Sequence, residues 1–256
     1  MTDDSVLLER RGGVAVITLN DPDRRNAITL AGSRRLTELV TECETDESVH
    51  AVVITGAPPA FCGGADLTAL GEAHEDGLRE IYAGFLAVAH CTLPTIAAVG
   101  GAAVGAGLNL ALAADVRIVG PRARFDARFL QLGLHPGGGM TWMSQRIVGP
   151  QTAMAMTIFG QTLDGREAER TGLAFQMVDG EPDAVVAAAV EFAAPAAAAP
   201  RDLVLSVKRS MRATASLDEH AAAVEVELVA QLESMRSPAF TELLARMREK
   251  ISRRTG

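Results

Sequence analysis

A glycine-rich segment at residues 105–107 is the part of the chain best suited to chemistry. Gly105, Ala106 and Gly107 precede a run of good helix formers, Leu108–Ala114. The first turn of a helix has backbone N–H groups without intrahelical partners and carries the positive end of the helix dipole. Because these three residues have almost no side chain, a ligand oxygen can approach the N–H groups closely. Two interpretations stay open from this segment alone: an oxyanion or anion site, or close packing of the helix on a sheet.

Three side chains near glycine-rich segments could take part in chemistry, and each also has a simpler structural interpretation. His135 lies beside a proline and a glycine, and its imidazole could act as an acid or base near neutral pH. Alternatively, it packs in its loop and bonds to the backbone. Asp126 follows a strand-like segment, where aspartates usually cap the chain or face solvent. Cys62 precedes a second glycine pair, and a buried unreactive thiol is the competing interpretation there.

Alternating strand and helix patterns must position these residues, and they predict an α/β fold. The predicted strands before residue 180 are Val6–Arg10, Val14–Leu19, Ala51–Thr55, a strand that ends at Val99, Asp115–Val119, Ala123–Phe125 and Leu173–Val178. The predicted helices between them are a segment from Leu30 to about Cys43, then Gly77–His90, Leu108–Ala114, Thr141–Val148 and Gln151–Phe159. At the centre, the pattern predicts a strand through Val99, a tight glycine turn and then the helix.

From Pro182 onward the pattern is almost wholly helical. The predicted helices are Ala184–Ala193, interrupted near Pro195 and Pro200, then Asp202–Met211 and Leu217–Met235. Strands that alternate with helices and are followed by helices alone predict two parts. We expect an α/β core at residues 1–199 and a helical C-terminal subdomain at residues 200–256.

Composition narrows the classes of protein. The chain has 256 residues, of which 48% are hydrophobic, and its formal charge of -8 argues against a dedicated nucleic-acid binder. Its three cysteines lack metal-like spacing, so we expect neither disulfides nor a metal site. The N-terminus has no basic region followed by an apolar run, and the run Thr95–Leu108 is too short and glycine-rich to span a membrane. We therefore expect a cytoplasmic protein.

Four ordered motifs resemble one known family. They are Asn20–Ile28 (NDPDRRNAI), Ala60–Leu67 (AFCGGADL), Ala97–Asp115 and Gly133–Gly139. Their order and spacing resemble the crotonase superfamily, the relatives of enoyl-CoA hydratase/isomerase. The resemblance implies a spiral of ββα units with a C-terminal helical trimerisation region, assembled as a homotrimer or a dimer of trimers. It also implies an acyl-CoA substrate, so that coenzyme A enters as part of the substrate and no separate cofactor is needed.

By position, the resemblance assigns a role to two main-chain N–H groups, those of Ala65 and Ala106, which would stabilise the oxyanion of the thioester. In comparable oxyanion holes, one donor is worth roughly 2.7–4 kcal/mol. The positions that contact coenzyme A in relatives correspond here to Arg24, Arg25, Ala27, Ala65, Asp66, Leu67, Thr68 and Ala106. The competing interpretations are a local loop hydrogen bond for Asp66 and solvent-exposed charges for the two arginines.

The two positions that hold catalytic glutamates in hydratases of this family differ in this chain. They are occupied by Asn109 and Phe129. Asparagine can hold a water molecule but cannot act as a base, and phenylalanine can do neither. Because general acid–base steps typically contribute ~10²–10⁴-fold each, ordinary hydration is not expected.

Two hypotheses follow. The first is a lyase- or isomerase-type enzyme of fatty-acid or related acyl-CoA metabolism that acts through a thioester enolate, with His135 as the best remaining titratable candidate. The second is a non-catalytic acyl-CoA-binding or regulatory protein.

Overall fold

The computed structural model describes residues 4–66 and 74–255. By its contacts the chain divides into two units, residues 1–197 and 198–256. The domain boundary after residue 199 stays a prediction from the sequence, and the two units are described separately below.

The first unit is built from two sheets and the helices that follow their strands. Its strands are β1 (Val6–Arg11), β2 (Val14–Leu19), β3 (Ala51–Gly56), β4 (Ala60–Cys62), β5 (Thr95–Val99), β6 (Ala102–Val104), β7 (Val116–Val119), β8 (Arg124–Asp126), β9 (Leu163–Asp164) and β10 (Gln176–Met177). Its helices are α1 (Leu30–Thr45), α2 (Glu75–His90), α3 (Ala106–Ala113), α4 (Met140–Thr157), α5 (Gly165–Thr171) and α6 (Pro182–Ala198). Short 3-10 helices cover Pro22–Arg24 and Phe129–Leu132.

The path of the chain alternates between the two sheets. The larger sheet has the order β1-β2-β3-β5-β7-β10, and the smaller has the order β4-β6-β8-β9. The chain runs from β3 to β4 to α2, from β5 to β6 to α3, and from β7 to β8 to α4. Each turn thus places one strand in each sheet and then a helix. This repeat confirms the α/β spiral of ββα units expected from the resemblance.

One hydrophobic core cluster lies between one face of the larger sheet and α6. Residues two apart in a strand share a face. The buried residues of this face are Val14, Val16, Ala51, Val53, Ile96, Ala98 and Ile118. Val185, Ala189 and Ala193 of α6 pack against them at helical spacing.

Helix α6 continues through Pro195, where the sequence predicted an interruption. Ala189 and Ala193 are buried in the core, and this packing holds the last turn although proline removes one backbone hydrogen bond. The chain does leave the helix before Pro200, as predicted. The predicted break between two helices near residue 149 is also confirmed, because Gly149 has φ 75° and ψ 164° inside α4.

The central segment contains a strand that the sequence did not predict. Between the glycine turn and α3, Ala102–Val104 forms β6, which pairs in parallel with β4 on one side and β8 on the other. The chain crosses from the larger to the smaller sheet at Gly101, where a Cβ would lie 2.9 Å from the Cα of Ala60. A strand of three small residues has no readable periodicity, which is why the pattern missed it.

The second unit contains three helices in its described part: α7 (Arg201–Thr214), α8 (His220–Met235) and α9 (Pro238–Thr255). Many large apolar side chains of this unit are exposed, including Met211, Val229, Met247 and Ile251. Among the described residues no single helix has the length and apolarity needed to cross a membrane; α6 and α7 reach that length and composition only when taken together.

Candidate active site

Three parallel strands of the smaller sheet bring the candidate site together. Strands β4, β6 and β8 run in parallel, so their carboxyl ends lie at the same edge. The segments that follow them begin at Gly63, Gly105 and Ala127. The first two segments touch, because a Cβ on Gly107 would collide with the carbonyl of Cys62. Only glycine allows this close approach of α3 to the loop after β4.

A cavity of about 570 Å³ opens at this edge. Its described lining residues are Gly63, Gly64, Ala65, Leu78, Ile81, Tyr82, Phe85, Val104, Gly105, Ala106, Asn109, Ala127, Arg128, Phe129, Leu132, Leu134, His135, Pro136 and Gly137. The five residues given catalytic positions by the sequence, Ala65, Ala106, Asn109, Phe129 and His135, are all among them. Helix α2 supplies the apolar wall through the stripe of Leu78, Ile81, Tyr82 and Phe85.

The N–H groups of Ala65 and Ala106 are left available by their local structure. Ile28 donates its N–H to Gly64 at 2.7 Å and accepts from Asp66 at 2.9 Å. Ala65, between these two residues, therefore turns its own N–H away from Ile28. Ala106 is the first residue of α3, so its N–H has no acceptor in the helix. Within residues 4–66 and 74–255, neither N–H donates to a backbone carbonyl.

Asn109 is held firmly and cannot titrate. It is only 2% exposed. Its Nδ2 donates to the carbonyl of Gly137 at 2.8 Å. Its Oδ1 is buried and has no hydrogen-bond partner in the described part of the chain. The amide thus joins α3 to the glycine loop before α4, which is a tie between two walls of the cavity rather than an acid–base group.

Phe129 and Arg128 follow β8 and line the cavity. Arg128 adopts a left-handed conformation with φ 55° and precedes the 3-10 helix that begins at Phe129. The guanidinium of Arg128 donates from Nε and Nη2 to Asp126 Oδ2 at 3.0 and 2.5 Å. Asp126 is nearly buried and orients this arginine, and it is not among the described lining residues.

Comparison with known proteins identifies the family. A family model described as Enoyl-CoA hydratase/isomerase matches residues 9–252. The chain belongs to the enoyl-CoA hydratase/isomerase family. This is the crotonase superfamily, which the four motifs resembled.

Relatives match this family member over most of its length. It is 56% identical over 251 residues to a probable enoyl-CoA hydratase, EchA14, of Mycobacterium tuberculosis, covering 94% of this chain and 96% of that protein. A probable enoyl-CoA hydratase of Rhodobacter capsulatus is 42% identical over 182 residues, covering 70% of each chain. The crystal structure of an enoyl-CoA hydratase from Bacillus anthracis superposes with a TM-score of 0.89 at 26% identity, covering 96% of this chain and 97% of that one.

His135 offers this family member a nitrogen that can accept a proton. Its Nδ1 lies 2.7 Å from the carbonyl of Pro136. A carbonyl only accepts hydrogen bonds, so we assign the proton of the neutral ring to Nδ1, and Nε2 keeps its lone pair. The side chain is exposed and lines the cavity. This geometry combines the loop hydrogen bond of the simpler interpretation with a nitrogen free to act as a base.

The sequence reasoning missed Tyr82 and Arg128 as cavity residues. Tyr82 is the only tyrosine of the chain. A Cβ on Gly137 would lie 3.0 Å from the Tyr82 Cζ, so the phenol packs on that glycine. The helical spacing of Leu78, Tyr82 and Phe85 could have indicated that Tyr82 shares the apolar face of its helix. No pattern could have indicated Arg128, because its position depends on a single left-handed residue.

The residues at the family's coenzyme A positions adjoin the cavity loop. The carbonyl of Arg25 accepts from the N–H of Gly63 at 2.8 Å. Arg24 donates from Nε to Asp21 at 2.8 Å and lies 3.9 Å from Asp66. Ala27 lies in the same loop. Of the coenzyme A positions expected from the resemblance, Ala65 and Ala106 line the cavity, whereas Arg24, Arg25, Ala27 and Asp66 are not among its described lining residues. Leu67 and Thr68 lie outside the described residues.

The structure favours the interpretation of Cys62 as a buried structural thiol. Its thiol is buried and donates to the Gly64 carbonyl at 3.7 Å. Burial raises its pKa from 9.0 to about 12, so the thiol stays protonated at neutral pH. In the described part of the chain, no group of three or more His, Cys, Asp or Glu side chains could hold a metal ion.

Proposed function

We propose that this protein binds an acyl-CoA thioester with its carbonyl oxygen between the N–H groups of Ala65 and Ala106. We further propose that it catalyses a reaction through the thioester enolate, other than hydration by two glutamates. The supporting observation is a cavity of about 570 Å³ that both alanines line and whose described lining residues include no carboxylate. Removal of a proton from the α-carbon places negative charge on the thioester oxygen, where two fixed donors stabilise it.

His135 is the proposed base. In this step the C–H bond at the α-carbon breaks, the proton passes to Nε2 of His135, and the electron pair moves to the thioester oxygen. Supporting this role, Nδ1 is engaged with the Pro136 carbonyl, which orients the ring with Nε2 as its acceptor. A later proton transfer from the imidazolium to a different carbon of the acyl group would complete an isomerase-type reaction.

Exchange of the α-hydrogens with solvent tests this proposal without assuming the final product. Butyryl-CoA is incubated in D₂O with the protein, and deuterium incorporation is followed by mass spectrometry. We expect exchange with the wild-type protein and its loss in His135→Ala, with the affinity for butyryl-CoA retained. Exchange that persists in His135→Ala would contradict the role of this histidine.

A non-catalytic acyl-CoA-binding or regulatory protein is the second candidate. It is favoured by the engagement of Asn109 with the Gly137 carbonyl and by the absence of acidic groups from the described cavity lining. For this candidate we expect calorimetry to detect butyryl-CoA binding while no deuterium enters and no enoyl-CoA is consumed. Exchange at the α-carbon would exclude it.

We also propose assembly as a homotrimer or a dimer of trimers. The support is the exposed apolar surface of the helical unit, where Met211 and Val229 are 69% and 68% exposed. Sedimentation should give three or six times the chain mass of 26.9 kDa. A monomeric mass would contradict this proposal.

A further inference from the structure

A second cavity, of about 430 Å³, lies beside the candidate active site. Its described lining residues are Leu130, His135, Pro136, Thr141, Ser144, Gln145, Ala153, Met154, Thr157 and Ile158. This space is named the side groove. His135 and Pro136 line both the side groove and the active-site cavity, so the two spaces share a wall. The 3-10 helix also connects them, because Leu132 lines the cavity and Leu130 lines the groove.

The walls of the side groove present hydrocarbon. Ser144 and Gln145 both donate to the carbonyl of Thr141, at 3.4 and 2.9 Å. The hydroxyl of Thr157 is directed to the sulfur of Met140 at 3.8 Å. These three donors are thus engaged within α4, and the described lining includes no Asp, Glu, Lys or Arg. An apolar ligand fits these walls better than a polar or charged one.

Three large apolar side chains that line the groove are about half exposed. Met154 and Ile158 are 51% and 52% exposed. Leu130, in the 3-10 helix after β8, lines the same groove and is 53% exposed. Clustered apolar surface of this kind next to a ligand cavity marks a binding groove.

We infer that the side groove holds the distal part of the substrate's acyl chain, so that the preferred substrates are medium- or long-chain acyl-CoA thioesters. This inference rests on the proposed function, which anchors the thioester carbonyl at Ala65 and Ala106. A short acyl group fits beside those N–H groups within the first cavity. A longer chain continues past the wall of His135 and Pro136, and its methylenes leave water against Leu130, Met154 and Ile158.

A chain-length series tests the inference in wild-type protein. Dissociation constants are measured by calorimetry for butyryl-, octanoyl- and dodecanoyl-CoA. Full burial tightens binding by ~4-fold per methylene. Because the large apolar side chains that line the groove are about half exposed, we expect about half of that free energy per methylene, or ~2-fold, which amounts to on the order of 10²-fold from butyryl to dodecanoyl. Equal dissociation constants across the series would overturn the inference and leave the proposed function intact.

Two variants locate the effect. Met154→Glu and Ile158→Glu place a charge in the groove at exposed positions, and both should abolish the gain with chain length while the affinity for butyryl-CoA is unchanged. Phe159→Glu is the matched control, because Phe159 is adjacent to Ile158 and 82% exposed but does not line the groove. This control should keep the full dependence on chain length.

The remaining outcomes are also decisive. If the affinity still depends on acyl-chain length in both groove variants, the distal part of the acyl chain binds elsewhere and the inference fails. A change of sedimenting mass in Met154→Glu, with chain-length dependence retained, would instead assign the groove to a contact between copies of this chain. If none of the three acyl-CoAs binds to the wild-type protein, the proposed function fails and the inference fails with it.

Discussion

The N–H group of Ala106 can be removed while the helix that carries it is kept. Ala106 is the first residue of α3 and follows the N-cap residue Gly105. Proline is well accommodated at the first helical position, because the N–H there has no intrahelical acceptor and the fixed φ of proline suits the helix. Ala106→Pro therefore deletes the proposed donor. Ala106→Gly is the matched control, because it keeps the N–H and removes only a methyl group.

The size of the effect follows from the loss of one oxyanion donor. Such a loss lowers the rate by about 10²–10³-fold, or roughly 2.7–4 kcal/mol of transition-state stabilisation. We expect Ala106→Pro to slow α-deuterium exchange of butyryl-CoA by this factor. The exchange rate of Ala106→Gly should remain within a few-fold of the wild-type rate, because glycine keeps the N–H donor. The glycine lowers helix stability by about 1 kcal/mol or less.

The assay is the initial rate of deuterium incorporation, with thermal melting of each variant as a check on folding. Deuterium exchange at the wild-type rate in Ala106→Pro would refute the placement of the thioester oxygen at this N–H. An equal loss in Ala106→Pro and Ala106→Gly would show that the loop geometry, not the donor, controls the rate.

Three further changes test other parts of the structure. Asn109→Glu combined with Phe129→Glu should raise the rate of hydration of trans-2-butenoyl-CoA by ~10²-fold or more over the wild type, because general acid–base groups contribute ~10²–10⁴-fold each. Rapid hydration by the wild-type protein would contradict this reasoning. Arg117→Met should lower the free energy of unfolding in urea by about 2 kcal/mol or more. The buried guanidinium donates to the carbonyls of Leu173 and Ala114 at 2.5 and 2.7 Å, and loss of these hydrogen bonds leaves buried acceptors unpaired. Arg122→Met, at an exposed arginine, is the control, and an equal loss of stability in both variants would refute the argument. Burial raises the pKa of the Cys62 thiol from 9.0 to about 12, so the unfolded chain releases this proton at lower pH than the folded chain. The stability that this group contributes below pH 9.0 is therefore lost as the pH rises towards 12. Denaturation curves measured across this pH range give the slope of the unfolding free energy against pH, and Cys62→Ala should reduce that slope. An unchanged slope would contradict the raised pKa of Cys62.

Much of the helical architecture could be predicted from the sequence, because helix periodicity and helix stops are local properties. The division of α4 at Gly149 is one example, since glycine followed by proline ends a helix wherever it lies. The continuation of α6 through Pro195 is the opposite case. There, burial of Ala189 and Ala193 against the sheet outweighs the local preference, and that packing could not be read from the local pattern.

The candidate site divides in the same way. The smallness of Gly105 and Ala106 before a helix is enough to predict exposed N–H groups, because this property needs only the local backbone. That Ala65 and Ala106 border one cavity depends on the parallel pairing of β4 with β6, two short strands far apart in the chain. The resemblance to the family implies that these two N–H groups serve one oxygen. The local patterns of the two segments do not predict the pairing, because its hydrogen bonds join segments whose separate patterns contain no information about each other.

The same physical reason applies to the side groove and to Tyr82. The composition and spacing of α4 indicate a helix, but they do not indicate that Met154 faces the same space as Leu130. Tyr82 belongs to an amphipathic stripe whose partner is chosen by the fold. The sequence by itself determined the family, the local turns and the presence of Asn109 and Phe129 at positions where the resemblance implies glutamates. The tertiary structure decided which of these residues meet, because contacts between distant segments depend on the packing of the whole unit.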